Sequence, residues 1–212
     1  MQPRSHPDPH ANAPDSSRVA LLIIDVINDL EFEGGAAMVP RAIRMARRIA
    51  ALKRRAATIG VPTIYINDNF GRWRSDFHTL VDHCLREDVR GRPVVERLVP
   101  EERDYFVLKP KHSGFYNTTL ELLLAYLHTR TVVITGLATD VCVLFTAADA
   151  YMRDFHVIVP RDCATALTPA AHRAGLAHMR KALNADIVAS SSIDFRRLAR
   201  RTRRVGASSS RE

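Results

Sequence analysis

Lysine is scarce in this chain. Among 31 basic residues only Lys53, Lys109, Lys111 and Lys181 are lysines, so positive charge is otherwise carried by arginine. A compact ammonium at the end of an apolar run therefore stands apart from generic surface charge. Long apolar runs are missing too. None approaches the roughly 20 residues of a membrane span, which excludes a transmembrane helix. Residues 1–17 are rich in Pro, His, Ala and Ser. They lack the apolar centre of a signal peptide and read as a disordered or loosely attached arm. Three cysteines, Cys84, Cys142 and Cys163, give no even framework, which argues against a disulfide scaffold and for a reducing cytoplasm. No Gly-x-Gly-x-x-Gly, phosphate-cradling glycine loop or internal repeat occurs, so nothing marks a dinucleotide or nucleotide site.

The net charge of +8 raises the question of nucleic acid, but its placement argues otherwise. Residues 196–212 hold seven arginines and one glutamate, a net of +6, which leaves +2 for the rest. No aromatic residues interleave with those arginines. A basic C-terminal tail with a solvated face is the simpler reading, and a polyanion-binding arm is the alternative.

What the sequence does contain is an alternation of strand and helix patterns. Apolar, β-branched runs begin at Arg18, Val61, Tyr105, Thr131, Phe155 and Asp186. Helical patterns separate them: Pro40 to Ile59 with Pro40 in the first turn, Asp76 to Leu85, Thr118 to His128 with Thr118 as cap, Val141 to Arg153, and Pro169 to Leu183. A further turn of helix is expected near Val94 to Leu98. This predicts an α/β protein, a three-layer Rossmann-like fold with a mostly parallel six-stranded sheet and helices on both faces. Its domain spans residues 18–195, and 212 residues suit one such unit.

Three strand ends carry the chemistry. The run Arg18 to Asp25 ends in a carboxylate, and Tyr105 to Lys109 ends in a lysine. Thr131 to Thr135 is closed by Gly136, after which Thr139 or Asp140 can cap a helix whose first turn holds Cys142. In open α/β sheets ligands bind beyond the carboxyl ends of strands, so an acid, an ammonium and a cysteine are expected at one rim. A helix N-terminus favours a thiolate and offers N–H groups to an oxyanion. The plainer alternative for Cys142 is a small buried packing residue.

At these residues the chain resembles the isochorismatase-like cysteine hydrolases, which include nicotinamidases and ureidoacrylate, carbamoylsarcosine and biuret amidohydrolases. The matching segments are Leu22-Ile-Ile-Asp25-Val-Ile-Asn28-Asp29, Lys109-Pro-Lys-His-Ser113-Gly-Phe115 and Gly136-Leu-Ala-Thr-Asp140-Val-Cys142. The resemblance implies a catalytic triad of Asp25, Lys109 and Cys142. It also implies a non-proline cis peptide at Leu137–Ala138, with the N–H groups of Ala138 and Cys142 as the oxyanion hole. A homo-oligomer, dimer or tetramer, is implied as well.

One departure from the resemblance concerns metal. Nicotinamidases carry Asp-x-His after the second strand, whereas this chain reads Asn67-Asp-Asn69-Phe70-Gly-Arg72-Trp73. His78 and His83, at i, i+5 on a helix, do not aim at one ion. No metal and no cofactor is therefore expected. Pocket walls are expected from Phe32, Asn69, Phe70, Arg72, Trp73, Phe115 and Tyr116, with closure of the core as the alternative for any of them and the wall favoured for Trp73 and Phe115. Arg72 or Arg74, if aimed inward, would favour an anionic substrate. The expected activity is hydrolysis of a C–N bond in a small amide, carbamoyl or ureido compound through a thioester. A silent metabolite- or protein-binding member of the fold and a polyanion binder remain the alternatives.

Overall fold

Apolar residues at every position of a run, rather than at alternate ones, dictate strands buried on both faces. In the computed structural model, which describes residues 16–68 and 77–200, β1 (Val19–Ile24) is such a strand, and all six of its residues are buried. The others are β2 (Thr63–Asp68), β3 (Tyr105–Lys109), β4 (Thr131–Leu137), β5 (His156–Pro160), β6 (Ala164–Thr165) and β7 (Asp186–Val188). They form one parallel sheet in the order β3-β2-β1-β4-β5-β7, with β6 paired to β4. Among the described residues the sheet has seven strands rather than six. The added member is only two residues long, too short for a periodicity to betray it.

Side-chain alternation divides the core into two layers. Leu21 and Ile23 of β1 face α1 (Gly35–Ala57), α2 (Phe77–Cys84) and α3 (Arg92–Val95). Ala20, Leu22 and Ile24 face α4 (Leu120–Tyr126), α5 (Cys142–Met152) and α6 (Pro169–Ala182). A last short helix, α7 (Phe195–Arg200), inserts Phe195 into the first layer. Arg196, Arg197 and Arg200 of the basic tail thus lie on a helix, while 201–212 and the expected arm up to residue 15 fall outside the described residues.

Several boundaries differ from the sequence pattern for physical reasons. Helix α1 starts at Gly35, so Pro40 lies inside it instead of in its first turn. Met38 is buried on the same stripe as Ala42, Met45 and Ile49, and this packing carries the helix back through the proline. Helix α4 starts two residues after Thr118, whose hydroxyl still accepts the Leu120 N–H at 3.2 Å. Gly136 does not end β4 but lies within it at φ 114°. A Cβ there would sit 2.0 Å from the Ile24 carbonyl oxygen. Glycine therefore permits both the backbone angle and the close approach of β1 and β4.

Candidate active site

The order 3-2-1-4-5-7 reverses direction between β1 and β4, and at such a switch point the loops beyond the carboxyl ends diverge and leave a crevice. Asp25 follows β1 there, Lys109 ends β3, and the chain leaving β4 leads to Cys142 at the start of α5. All three sequence-derived residues meet. The Lys109 Nζ lies 2.9 Å from Asp25 Oδ2 and 3.5 Å from Cys142 Sγ. Lys109 is fully buried and Asp25 is nearly so.

Asp25 adopts φ 49°, a left-handed conformation that Asp tolerates better than most residues. Its N–H donates to the Ile66 carbonyl at 2.8 Å, and its Oδ1 accepts the Asp68 N–H at 2.8 Å. Asp68 also brings its own carboxylate to 3.4 Å from the Lys109 ammonium. One buried cation is thus shared by two carboxylates and a sulfur. Sequence reasoning weighed Asp68 only as part of a metal motif and missed this double role. Here its carboxylate faces a cation of the protein's own, and among the described residues no three His, Cys, Asp or Glu side chains converge as a metal-ligand set.

Burial raises the Asp25 carboxyl above its ordinary value, with the Lys109 charge and the Cys142 thiol acting in the opposite direction. The Cys142 thiol is pushed up to about 12, first by burial and then by the Asp25 charge, against which Lys109 works. Burial opposes the Lys109 charge, but Asp25, Cys142 and Asp68 together outweigh it and hold the ammonium above its usual range. Burial, and after it the Asp25 charge, thus opposes the thiolate that the first turn of a helix favours.

The approach to Cys142 differs from expectation in another respect. The Leu137–Ala138 peptide is cis, as the resemblance implied. Neither Thr139 nor Asp140 caps α5; Val141 occupies the cap position, without a side-chain bond. The Thr139 hydroxyl is instead hydrogen-bonded to His172 Nδ1 at 2.8 Å, and its N–H donates to Thr165 at 2.9 Å, so β6 and α6 capture it. The Ala138 carbonyl accepts the N–H groups of both Val141 and Val143. Among the described residues, no acceptor takes the N–H of Ala138 or of Cys142.

The expected pocket walls divide into three groups. Phe32 and Tyr116 are exposed, on the loops that leave β1 and β3. Phe115 is 4% exposed, packed against Phe155 and beneath the Arg153 guanidinium, the core-closing place that the sequence also left open to it. Six residues after Lys109, it packs in the layer that also holds Val143 and Ala147 of α5. Asn69, Phe70, Arg72 and Trp73, with Arg74, lie outside the described residues. His112, within the segment Lys109 to Phe115 and with no role expected from the sequence, brings its Nδ1 to 3.9 Å from Cys142 Sγ. Thirty positions separate the two, and no local pattern links them.

Comparison with known proteins shows the family and the fold. Residues 19–191 match the Isochorismatase domain family. YaaI of Bacillus subtilis, described as an uncharacterized isochorismatase family protein, is 38% identical over 174 residues, covering 82% of this chain and 95% of its own. A ureidoacrylate amidohydrolase, RutB of Methylorubrum extorquens, is 30% identical over 199 residues, covering 79% and 75% respectively. Among solved structures, N-carbamoylsarcosine amidase from Thermoplasma acidophilum superposes with a TM-score of 0.65 at 27% identity, over 84% of this chain and 99% of that one.

Proposed function

Because the chain belongs to the isochorismatase family, we propose that it is a cysteine-dependent hydrolase that cleaves the C–N bond of a small amide, carbamoyl or ureido compound. The observation that carries this reading is the fully buried Lys109 ammonium, held at once against Asp25 at 2.9 Å and against Cys142 Sγ at 3.5 Å. A packing cysteine needs no such partner. The relatives named as amidohydrolase and amidase support the bond type.

The chemistry follows from the shifted groups. A carboxylate whose proton affinity is raised is a better base, and a thiol near 12 keeps its proton until attack begins. Asp25 takes that proton as the sulfur adds to the carbonyl carbon. Lys109 offsets the negative charge that then lies across carboxyl and sulfur. The N–H groups of Ala138 and Cys142, without acceptors of their own, receive the developing oxyanion. As the C–N bond breaks, the Asp25 carboxyl returns the proton to the departing nitrogen, leaving a thioester on Cys142. Water then releases the acid and regenerates the thiol. No metal and no cofactor takes part in this scheme, and the protein acts as a homo-oligomer.

The test is release of ammonia or amine from a panel of small amides, carbamoyl compounds and ureido acids, with Cys142→Ala as control. Turnover of a panel member that disappears in the variant supports the reading. Turnover that survives loss of the thiol overturns it.

A further inference from the structure

The nucleophile of this site has two sides. On the buried side lie Lys109 and Asp25. On the open side lies His112, exposed to solvent, with Nδ1 3.9 Å from the sulfur. His112 is not a surface histidine that happens to be near. The loop carrying it is bolted to the nucleophile's own helix at successive residues: Ser113 donates to the Asp149 carboxylate, and the Gly114 N–H donates to Thr146 Oγ1 at 3.0 Å. Phe115 follows, buried beneath the Arg153 guanidinium with 5.0 Å from its ring centroid to Cζ. The imidazole itself rests on Phe145, centroid to centroid 5.6 Å, and Phe145 stands one turn along from Cys142. Loop and ring are both registered to the sulfur.

Resting on the cysteine-hydrolase reading above, we infer that His112 is the catalytic base of the second half-reaction, the hydrolysis of the thioester. Once the amine has left, the acyl group on Cys142 stands between Asp25 and solvent, and water arrives from the open side. A water about 3 Å from the thioester carbon and from the imidazole nitrogen fits beside a sulfur 3.9 Å from that nitrogen. The water oxygen forms the new C–O bond and its proton passes to the imidazole. The C–S bond breaks, the sulfur leaves with the electron pair, and it recovers the proton from the imidazolium. The balance is thioester plus water giving carboxylic acid plus thiol, with no other reactant.

The experiment uses p-nitrophenyl acetate, an activated acyl donor that reports both half-reactions. Release of nitrophenol in the first turnover measures acylation of Cys142, and the later steady rate measures deacylation. In His112→Gln the initial burst should keep its amplitude and rate. The steady rate should fall by about 100-fold or more, the scale of general-base catalysis. Acetyl-Cys142 should then accumulate as the dominant species by mass spectrometry. A steady rate equal to wild type overturns the assignment. So does an equal fall of burst and steady rate, which is what a purely structural role would give. If wild-type protein is never acetylated on Cys142, the thioester reading itself fails and His112 loses its role with it, an outcome distinct from the other two.

Discussion

The protonation balance around Lys109 decides how Cys142 behaves toward electrophiles. Cys84, Cys142 and Cys163 are all pushed up to about 12, chiefly by burial. Cys142 differs in being partly exposed, whereas the other two are fully buried. Iodoacetamide should therefore modify Cys142 first, by access rather than acidity, and its rate should keep rising with pH above 8. Asp25→Asn removes a charge that raises the thiol, so the variant should be alkylated faster than wild type at pH 8 while losing turnover. Peptide mapping after timed quenching reads both; slower alkylation in Asp25→Asn would contradict the charge argument. Lys109 gives a second test at the same scale. Lys109→Met leaves the buried Asp25 without its main counter-charge, a loss of about 3–5 kcal/mol at neutral pH for a broken buried pair. In wild type the Asp25 carboxyl is already raised above 3.8, and removing the ammonium raises it further. A group raised on folding supports stability below its unfolded value and loses that support as pH climbs through its folded value. The stability gap between wild type and Lys109→Met should thus widen from pH 5 to pH 8 in urea denaturation. A gap independent of pH would mean that Asp25 does not titrate as burial demands.

Elements show where a one-dimensional pattern suffices and where it does not. β1 and β4 were legible because every residue is apolar or small and both faces are covered. The gathering of Asp25, Lys109 and Cys142 was legible as well, because parallel topology brings strand ends to one rim wherever the strands fall in the sheet. What escaped depends on contacts between distant residues. The cap of α5 was misread because His172, from α6, draws off the Thr139 hydroxyl. For Phe115 the sequence left wall and core both open, because its contacts with Phe155 and Arg153 are made by residues about forty positions away. The start of α1 was misread because local propensity stops at Pro40 while packing at Met38 does not. That last conflict is testable. Pro40 is exposed on the sixth residue of the helix, where it has no N–H for the Ala36 carbonyl. Pro40→Ala restores that donor and relieves the ring against the preceding turn, at the expense of a looser unfolded chain. A net gain of about 1–2 kcal/mol is expected, read as a higher urea midpoint at unchanged slope. A loss would mean that proline at this position is needed to seat Met38.

At the scale of the whole molecule, one helix is more apolar than a monomer requires. Helix α5 reads Cys142-Val-Leu-Phe-Thr-Ala-Ala-Asp-Ala-Tyr-Met152, apolar on nearly all sides, and such a helix is ordinarily covered all round. Its inner face is satisfied by Val143, Ala147 and Ala150, yet Phe145, Tyr151 and Met152 are exposed, Met152 to 68%. The neighbouring α4, tied to it by the Glu121–Arg153 ion pair at 2.8 Å, adds Leu122 at 72% and Tyr126. Exposed apolar side chains on two neighbouring helices are what the proposed homo-oligomer would cover, with a second copy of the chain presenting the same residues about a twofold axis. Light scattering on the eluting peak should therefore give a dimer or a multiple of it at micromolar concentration. Leu122→Asp with Met152→Asp places two charges per protomer in that face, and twofold symmetry doubles the number. An unpaired charge buried in an apolar contact costs upward of about 2 kcal/mol, so association should weaken by at least roughly 30-fold and the variant should elute as a monomer. Neither substitution alters Phe145 itself, which supports His112, and the far-ultraviolet spectrum should be unchanged. A wild-type protein that is monomeric at the same concentration would remove this face as the oligomer contact and leave the site chemistry untouched.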